Sequence, residues 1–440
     1  MNNTIAQPNG YSVKYLLQNN LSLLLNTALL VAILLVYLPV LSNQFQLEWD
    51  DQVIVINDYT SGGLGLSNLW GILTEFYEGQ YAPVNQLSYT LLYSAFGYNP
   101  ACFHAFGVLI HSLNVLLVFS LIKQILKASN KFDDNQRYII AFTTALLMAI
   151  HPFLVESVAW VSASKILLYA LFYLLGLHYY LLYIKSKKIS HYLMTVVMFI
   201  ISFGAKEQAV ILPVCLLLID IVFNRDMKTK QVWLEKLPLF ILSLLFGYIT
   251  ILSQSVAGVG VLSDKAGHPF HHNIAYASYA ITEYWVKSII PVKLANVYFF
   301  PNAIADPLPI RFWMYPILLL IVGVGFTDFW KRKWIMFGGG FFLIHLAVVI
   351  HLIPISRLAI IADRYVYLAA IGVFFLIGVA VNHLIQKDRY KPLLLTLSLI
   401  YVASLAVYAH QYSKKWHDSA TLKVEMKALF ERHQKENYKK

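Results

Sequence analysis

Long apolar runs alternate with short polar breaks from residue 22 to residue 410, a rhythm that predicts a bundle of membrane-crossing helices. A helix needs about 20 mostly apolar residues to cross a bilayer. Such runs fall at 22–42, 102–126, 138–152, 165–184, 191–203, 208–223, 237–253, 312–329, 335–353, 365–383 and 393–410. The prediction is an all-α polytopic integral membrane protein with about eleven transmembrane helices. The run at 274–290 is also apolar but carries Glu283 and Lys287. Were it to cross, Lys331, Arg332 and Lys333 would join the first polar loop on one side, against the bias of basic residues toward the inner face. It is therefore predicted to be a re-entrant or interfacial helix on the outer side.

Two long polar interruptions, 43–100 and 254–311, become the outer loops of this scheme. Residues 66–76 and 86–96 in the first are amphipathic and are expected to lie along the interface. With an inner N-terminus, the inner segments hold more than twice as many Lys and Arg as the longer outer loops, as orientation requires. Residues 1–410 then form one membrane domain, and 411–440 form a tail on the outer side. In that tail Leu422, Met426, Leu429 and Phe430 recur at helical spacing, which predicts a short amphipathic helix. Its basic residues are the one feature against an outer placement. No 34-residue repeat is found in it.

Composition agrees with the pattern. Of 440 residues, 58% are hydrophobic and only 13% charged, outside the range of ordinary soluble domains. The net charge of +11 comes from clusters beside apolar runs, not from a patch interleaved with aromatics, so nucleic acid is not an expected partner. Cys102 and Cys215 lack metal or redox spacing and are expected to be free thiols. The first apolar run exceeds a signal-peptide core and lacks a small-residue cleavage site, so it is expected to stay as the first span.

The densest candidate chemistry is Glu48-Trp49-Asp50-Asp51. No Lys or Arg lies between Lys14 and Lys123, so these acids, with Asp58, Glu75 and Glu78, have no basic neighbour in sequence. The pair Asp50 and Asp51 also suits a solvated turn or a helix cap. His268, His271 and His272 lack the spacing of a helical ligand pair, and a divalent metal is not expected.

Five short motifs follow one another: Trp49-Asp50-Asp51 with Asn57, Tyr81-Ala82-Pro83-Val84-Asn85, residues His151 to Trp160 with Glu156 between them, Lys206-Glu207-Gln208, and Asp363-Arg364-Tyr365-Val366-Tyr367. In this order the chain resembles the membrane domain of the transmembrane-and-tetratricopeptide O-mannosyltransferases and their bacterial relatives, of the GT-C glycosyltransferase superfamily. The resemblance covers residues 45–421. It departs from the pattern in lacking the repeat array after the membrane domain, and in having Ala163 and Ser164 before Lys165 where relatives often carry a further charge.

The resemblance implies a GT-C fold with a catalytic first outer loop. It also implies transfer of a sugar, mannose first, from a polyprenyl-phosphate donor to an acceptor hydroxyl on the periplasmic, extracellular or lumenal face. Protein is the expected acceptor, with a lipid or glycan acceptor or a polyprenyl-lipid flippase as alternatives. A flippase would show two-fold internal repetition, which is not seen. No cofactor is expected.

Such a reaction needs a carboxylate to take the hydroxyl proton and cations to hold the leaving phosphate. By the resemblance the base is Asp50 or Asp51. Lys206, Arg364, Lys165 and His151 are the candidate phosphate ligands. Glu48, Tyr81, Asn85, Glu156, Trp160, Glu207 and Asp363 are expected to support the substrate site, Asp363 by directing its neighbour Arg364. Each also has a structural reading: a snorkelling lysine for Lys206, a helix cap for His151, an ion pair at a span end for Arg364 and Asp363, and belt aromatics for Tyr81 and Trp160.

Overall fold

The computed structural model describes residues 10–128, 131–256, 268–302, 306–352, 359–387 and 391–437. Parts of the expected second outer loop (257–267 and 303–305), of the segments near 353–358 and 388–390, and both chain ends lie outside them. Among the described residues there is no strand, only the isolated bridges Tyr77 to Gln80 and Tyr298 to Ile361.

Helix α1 (Gly10–Tyr37) leads into the first loop. That loop holds four short helices: α2 (Asp51–Ile54), α3 (Asp58–Ser61), α4 (Leu66–Thr74) and α5 (Pro83–Phe96). The bundle continues with α6 (Pro100–Ala128), α7 (Asp134–Ile150), α8 (Val155–Ala159), α9 (Ser164–Ser186), α10 (Ile189–Ala205), α11 (Leu212–Val222) and α12 (Lys230–Val256). After α13 (Phe270–Lys287) come α14 (Met314–Gly325), α15 (Thr327–Trp330), α16 (Lys333–Leu346), α17 (Ala369–Ile385), α18 (Lys391–Ser413) and α19 (Ser419–Asn437).

Each expected span overlaps a helix, although α16 ends at Leu346, well short of the expected end at 353. Five helical stretches are long and apolar enough to cross a bilayer, Asn20–Ser42, Pro100–Ala128, Val161–Ser186, Lys230–Val256 and Lys391–Trp416. A sixth is formed if α7 and Pro152–Ala159, bent by 58°, count as one broken span. The remaining apolar helices are shorter. Helix α13 is not apolar enough to join the five, in keeping with its Glu283, Lys287 and three N-terminal polar residues.

Solvation of the bundle is inverted relative to a water-soluble protein. Leu35, Leu244 and Leu399 point outward at 67%, 77% and 70% exposure, while His111, Asn114 and Thr144 are fully buried. Apolar faces of that extent are covered in a monomer only by lipid or a partner. The interior polar groups bond to one another. Tyr367 Oη meets His111 Nδ1 at 2.7 Å and accepts from Asn114 Nδ2 at 3.2 Å. The protein is a multi-pass membrane protein.

Local sequence decides where helices break, and the breaks gather at the end that carries the first loop. Helix α7 begins with a capping box, in which Asp133 accepts from Gln136 N–H and the Gln136 side chain accepts in return. It ends at His151 because Pro152 has no N–H and cannot extend it. Helix α10 ends at Lys206, whose backbone is extended, and α11 restarts with Pro213 in its first turn. Non-helical backbone at membrane depth needs protein or water around it, so breaks of this kind mark a cavity or a site.

At the far end of α9 lies a cluster that sequence did not announce. Arg225 grips Glu235 with two nitrogens, at 2.6 and 2.9 Å, and Asp220 at 3.1 Å. Lys236 pairs with Asp220, and the Tyr180 hydroxyl donates to the same carboxylate. Two acids and two bases compensate each other there, tying α9, α11 and α12 together.

Helices α16 and α17 cross closely through glycine. A Cβ on Gly338 would lie 2.8 Å from the Gly372 carbonyl oxygen, and one on Gly372 would strike the Gly338 carbonyl. Small residues permit such approaches in membrane bundles. Gly372→Ala is expected to cost about 2 kcal/mol from overpacking, lowering the unfolding temperature in detergent by several degrees. Gly247→Ala, in open space on α12, should leave it unchanged. Equal unfolding temperatures for the two variants would contradict the close crossing.

Candidate active site

The two adjacent aspartates part company at the start of α2. Asp51 is fully buried and Asp50 is exposed. One Asp51 oxygen accepts from Gln46 N–H at 2.7 Å; the other accepts from Ser162 N–H at 2.9 Å and from the Ser162 hydroxyl. Burial pushes Asp51 up to about 6 against these three bonds, with the nearby Asp50 charge adding slightly. Asp50 makes no side-chain hydrogen bond or ion pair among the described residues. Its charge is felt at Arg364 and Lys165.

Those two cations and Lys206 come from three separate breaks. Arg364, just before α17, donates from its backbone N–H to Glu156 at 2.8 Å and from one terminal nitrogen to the same carboxylate at 2.6 Å. Its guanidinium lies 5.3 Å from the Trp160 ring centre and 5.0 Å from that of Tyr365. Burial works against the Arg364 cation, but Glu156, with Tyr365 and Asp50 adding, holds its proton more tightly than in free guanidinium. Lys206 pairs with Glu207 at 3.2 Å and lies 5.9 Å from the Tyr365 ring. Lys165, in the first turn of α9, donates to Gln80 at 2.7 Å and shares an electrostatic neighbourhood with Lys206, Glu207, Arg364 and Asp50. Asp50 and Arg364, more than 300 positions apart, thus come within electrostatic reach of one another.

Helix α5 walls this cluster from the loop side. Tyr89 Oη donates to Val161 O at 2.9 Å and meets Ser164 Oγ at 3.0 Å. Asn85, buried, accepts from Ser164 at 3.4 Å. The Tyr81 ring rests against Phe203, and its hydroxyl donates to Leu73 O at 2.8 Å. A cleft opens beside them, lined by Tyr59, Glu75, Tyr77, Gln80, Asn85 and Gln86 among others.

Several expected residues stand elsewhere. His151 is fully buried, accepts from Phe153 N–H and packs on Phe374, as a cap of the break after α7. Asp363 does not direct Arg364. It accepts from Tyr298 at 2.6 Å and from Tyr412 at 3.5 Å, and burial, followed by Glu156, pushes it up. Glu156, 208 positions from Arg364, takes that role instead. Glu48 turns to Lys423 of α19 at 2.7 Å. Among the described residues no group of three His, Cys, Asp or Glu side chains is placed to hold a metal. His268 stacks on Phe300 and His271 on Trp313.

Ser162, Gln80 and Trp416 escaped the sequence reading. Nothing local marks Ser162 as the partner of a carboxylate 111 positions away. Trp416, just after the last span, has the look of an ordinary interfacial aromatic.

Fold and cluster together define a class, the all-α polytopic membrane proteins whose broken helices collect charged side chains at one end. Comparison with known proteins narrows it. No family model matches the chain. It is 23% identical over 420 residues to protein O-mannosyl-transferase F38B6.6 of Caenorhabditis elegans, covering 90% of this chain and 56% of that protein. Over 118 residues it is 30% identical to protein O-mannosyl-transferase TMTC1 of Homo sapiens, covering 24% of this chain and 12% of that protein. The chain spans about half the length of the first of these relatives. The likeness to O-mannosyltransferases implied by the five motifs is borne out by these similarities.

Because folding raises the Asp51 carboxyl from 3.8 to about 6, its contribution to stability is complete below about pH 4 and is lost as the pH rises through about 6. Unfolding temperatures of wild type and Asp51→Asn, compared from pH 4 to 7, should diverge in favour of Asn as pH rises. A pH-independent difference for Asp51→Asn would contradict the buried placement.

Proposed function

We propose that the protein is an inverting glycosyltransferase that moves mannose from a polyprenyl-phosphate donor to a hydroxyl of a protein acceptor, at the non-cytoplasmic face of the membrane. What supports this reading is the exposed Asp50 carboxylate within electrostatic reach of Arg364 and Lys165, the latter sharing its neighbourhood with Lys206. The O-mannosyl-transferase names of the two relatives point to the same chemistry.

In this mechanism the acceptor oxygen attacks the anomeric carbon from the side opposite the phosphate. Asp50 takes the hydroxyl proton as the new carbon–oxygen bond forms. The bond from the anomeric carbon to the phosphate oxygen breaks, and its electron pair leaves with the lipid phosphate. Arg364 has guanidinium nitrogens without a partner among the described residues, and with Lys165 and Lys206 it stabilises the charge that develops on the leaving group. Glu156 fixes the direction of Arg364. Asp51, bonded on both oxygens, holds the loop instead of taking the proton. Three cationic side chains supply the positive charge that a divalent ion provides in other transferases, so the reaction is proposed to be metal-independent.

Turnover of a polyprenyl-phosphate mannose with a hydroxyl-bearing peptide, by protein purified in detergent, tests the reading. Asp50→Asn should reduce kcat by about 10²–10⁴-fold, the range of a positioned general base, at an unchanged unfolding temperature. Full turnover by Asp50→Asn would refute Asp50 as base. Arg364→Ala should cost about 10²-fold. A chelator should leave the wild-type rate unaltered; loss of rate restored by a divalent ion would overturn the metal-independent mechanism.

A further inference from the structure

The segment after the last span is bound to the candidate site at both its acidic and its cationic side. Gln44 N–H donates to His417 O at 2.7 Å, the Gln46 side chain to Trp416 O at 2.8 Å, and Glu48 N–H to the Ser419 hydroxyl at 3.1 Å. Asn43 adds a longer bond to Ser413 O, and Lys423 pairs with Glu48 on the surface. The backbone of Gln46 in turn holds Asp51. Residues 413–423 are thus laced along the stretch that ends in Asp50 and Asp51.

The second connection runs through indole rings. Trp416 is 1% exposed and stacks on Trp160, with ring centres 5.5 Å apart and planes 20° from parallel. Trp160 meets Trp49 edge to face at 6.1 Å and carries the Arg364 guanidinium over its ring. An arginine on an aromatic face is held in the plane that the ring dictates, and the ring is held by what stacks on it. Trp416 therefore adjoins the support of the cation, while its own carbonyl supports the loop of the acid.

We propose that Trp416 is a positioning residue of the donor site: by stacking on Trp160 it fixes the plane over which Arg364 is presented to the lipid phosphate, and its segment keeps the Asp50 loop in register with that cation. The inference rests on the transferase reading above. It makes residues 413–423, at and beyond the end of α18, a working part of the site. Anything that lifts this segment lowers donor affinity before it alters the bundle.

A series of substitutions at Trp416 separates stacking from filling. Trp416→Phe keeps an aromatic face, and Trp416→Leu keeps an apolar side chain without one. Kinetics would be measured in detergent with a polyprenyl-phosphate mannose and a hydroxyl-bearing peptide, alongside the unfolding temperature and an Arg364→Ala control. The expected result is a donor KM within about twofold of wild type for Phe and raised about tenfold for Leu, with the peptide KM unmoved in both. A tenfold change corresponds to about 1.4 kcal/mol, between the exposed and the desolvated strengths of a cation–aromatic contact. Equal donor KM values for Phe, Leu and wild type, while Arg364→Ala is crippled, would overturn the role of Trp416 and leave the transferase reading intact. An unimpaired Arg364→Ala would defeat both.

A surface exchange gives a second reading that does not depend on a buried ring. Lys423→Glu should raise the donor KM by about twofold to threefold, and Glu48→Lys with Lys423→Glu should restore it. No change in the single variant would count against the lacing of this segment to the loop.

Discussion

A carboxylate buried without a cation beside it must find donors to replace the water it has lost. Asp51 finds three, two from Ser162 and one from the backbone of Gln46, and all are spent on holding the first loop against the turn between α8 and α9. The arrangement of the site depends on that clamp. Because Asp51 is turned inward, the preceding residue stands at the mouth of the loop with its carboxylate exposed. The same turn carries Trp160, over which Arg364 lies, so one buried contact sets the spacing between a free acid and a held cation.

The rest of the bundle makes this clamp possible by breaking its helices at one end and closing them at the other. Pro152 ends α7, the extended Lys206 separates α10 from α11, and the turn at Asp363 precedes α17. Each break frees backbone groups and brings a polar side chain to the loop end: Glu156, Lys206 and Arg364. At the opposite end of α9, Asp220, Arg225, Glu235 and Lys236 neutralise one another and leave little to offer a ligand. One end is locked by compensated charges. The other keeps an acid and two guanidinium nitrogens without partners among the described residues.

Much of the fold was legible in the sequence because lipid imposes a simple rule: runs of apolar residues must become helices that satisfy their own backbones. Each expected span overlaps a helix, and six of them match the five long apolar helices and the broken α7. That Lys165 shares an electrostatic neighbourhood with Asp50, Lys206 and Arg364 could be expected only through the order of five motifs, since no local pattern links residues so distant. Pairing within the site was less readable. Asp363 is the sequence neighbour of Arg364, yet its side chain bonds to tyrosines, and the partner came from Glu156. Asp50 and Asp51 are indistinguishable by type and are separated only by what is packed around them. The basic tail looked like a surface helix, because the bonds from Gln44, Gln46 and Glu48 that draw it to the loop involve backbone groups that every sequence possesses.

The account stands or falls on where the lipid phosphate lies. A structure of the protein in a lipid nanodisc with a polyprenyl phosphate bound is the most direct measurement. The account predicts phosphate density within hydrogen-bond distance of Arg364 and Lys206, with the Asp50 carboxylate across from it. A phosphate at the Asp220 and Arg225 end of the bundle, or one on the loop side remote from Arg364, would contradict it.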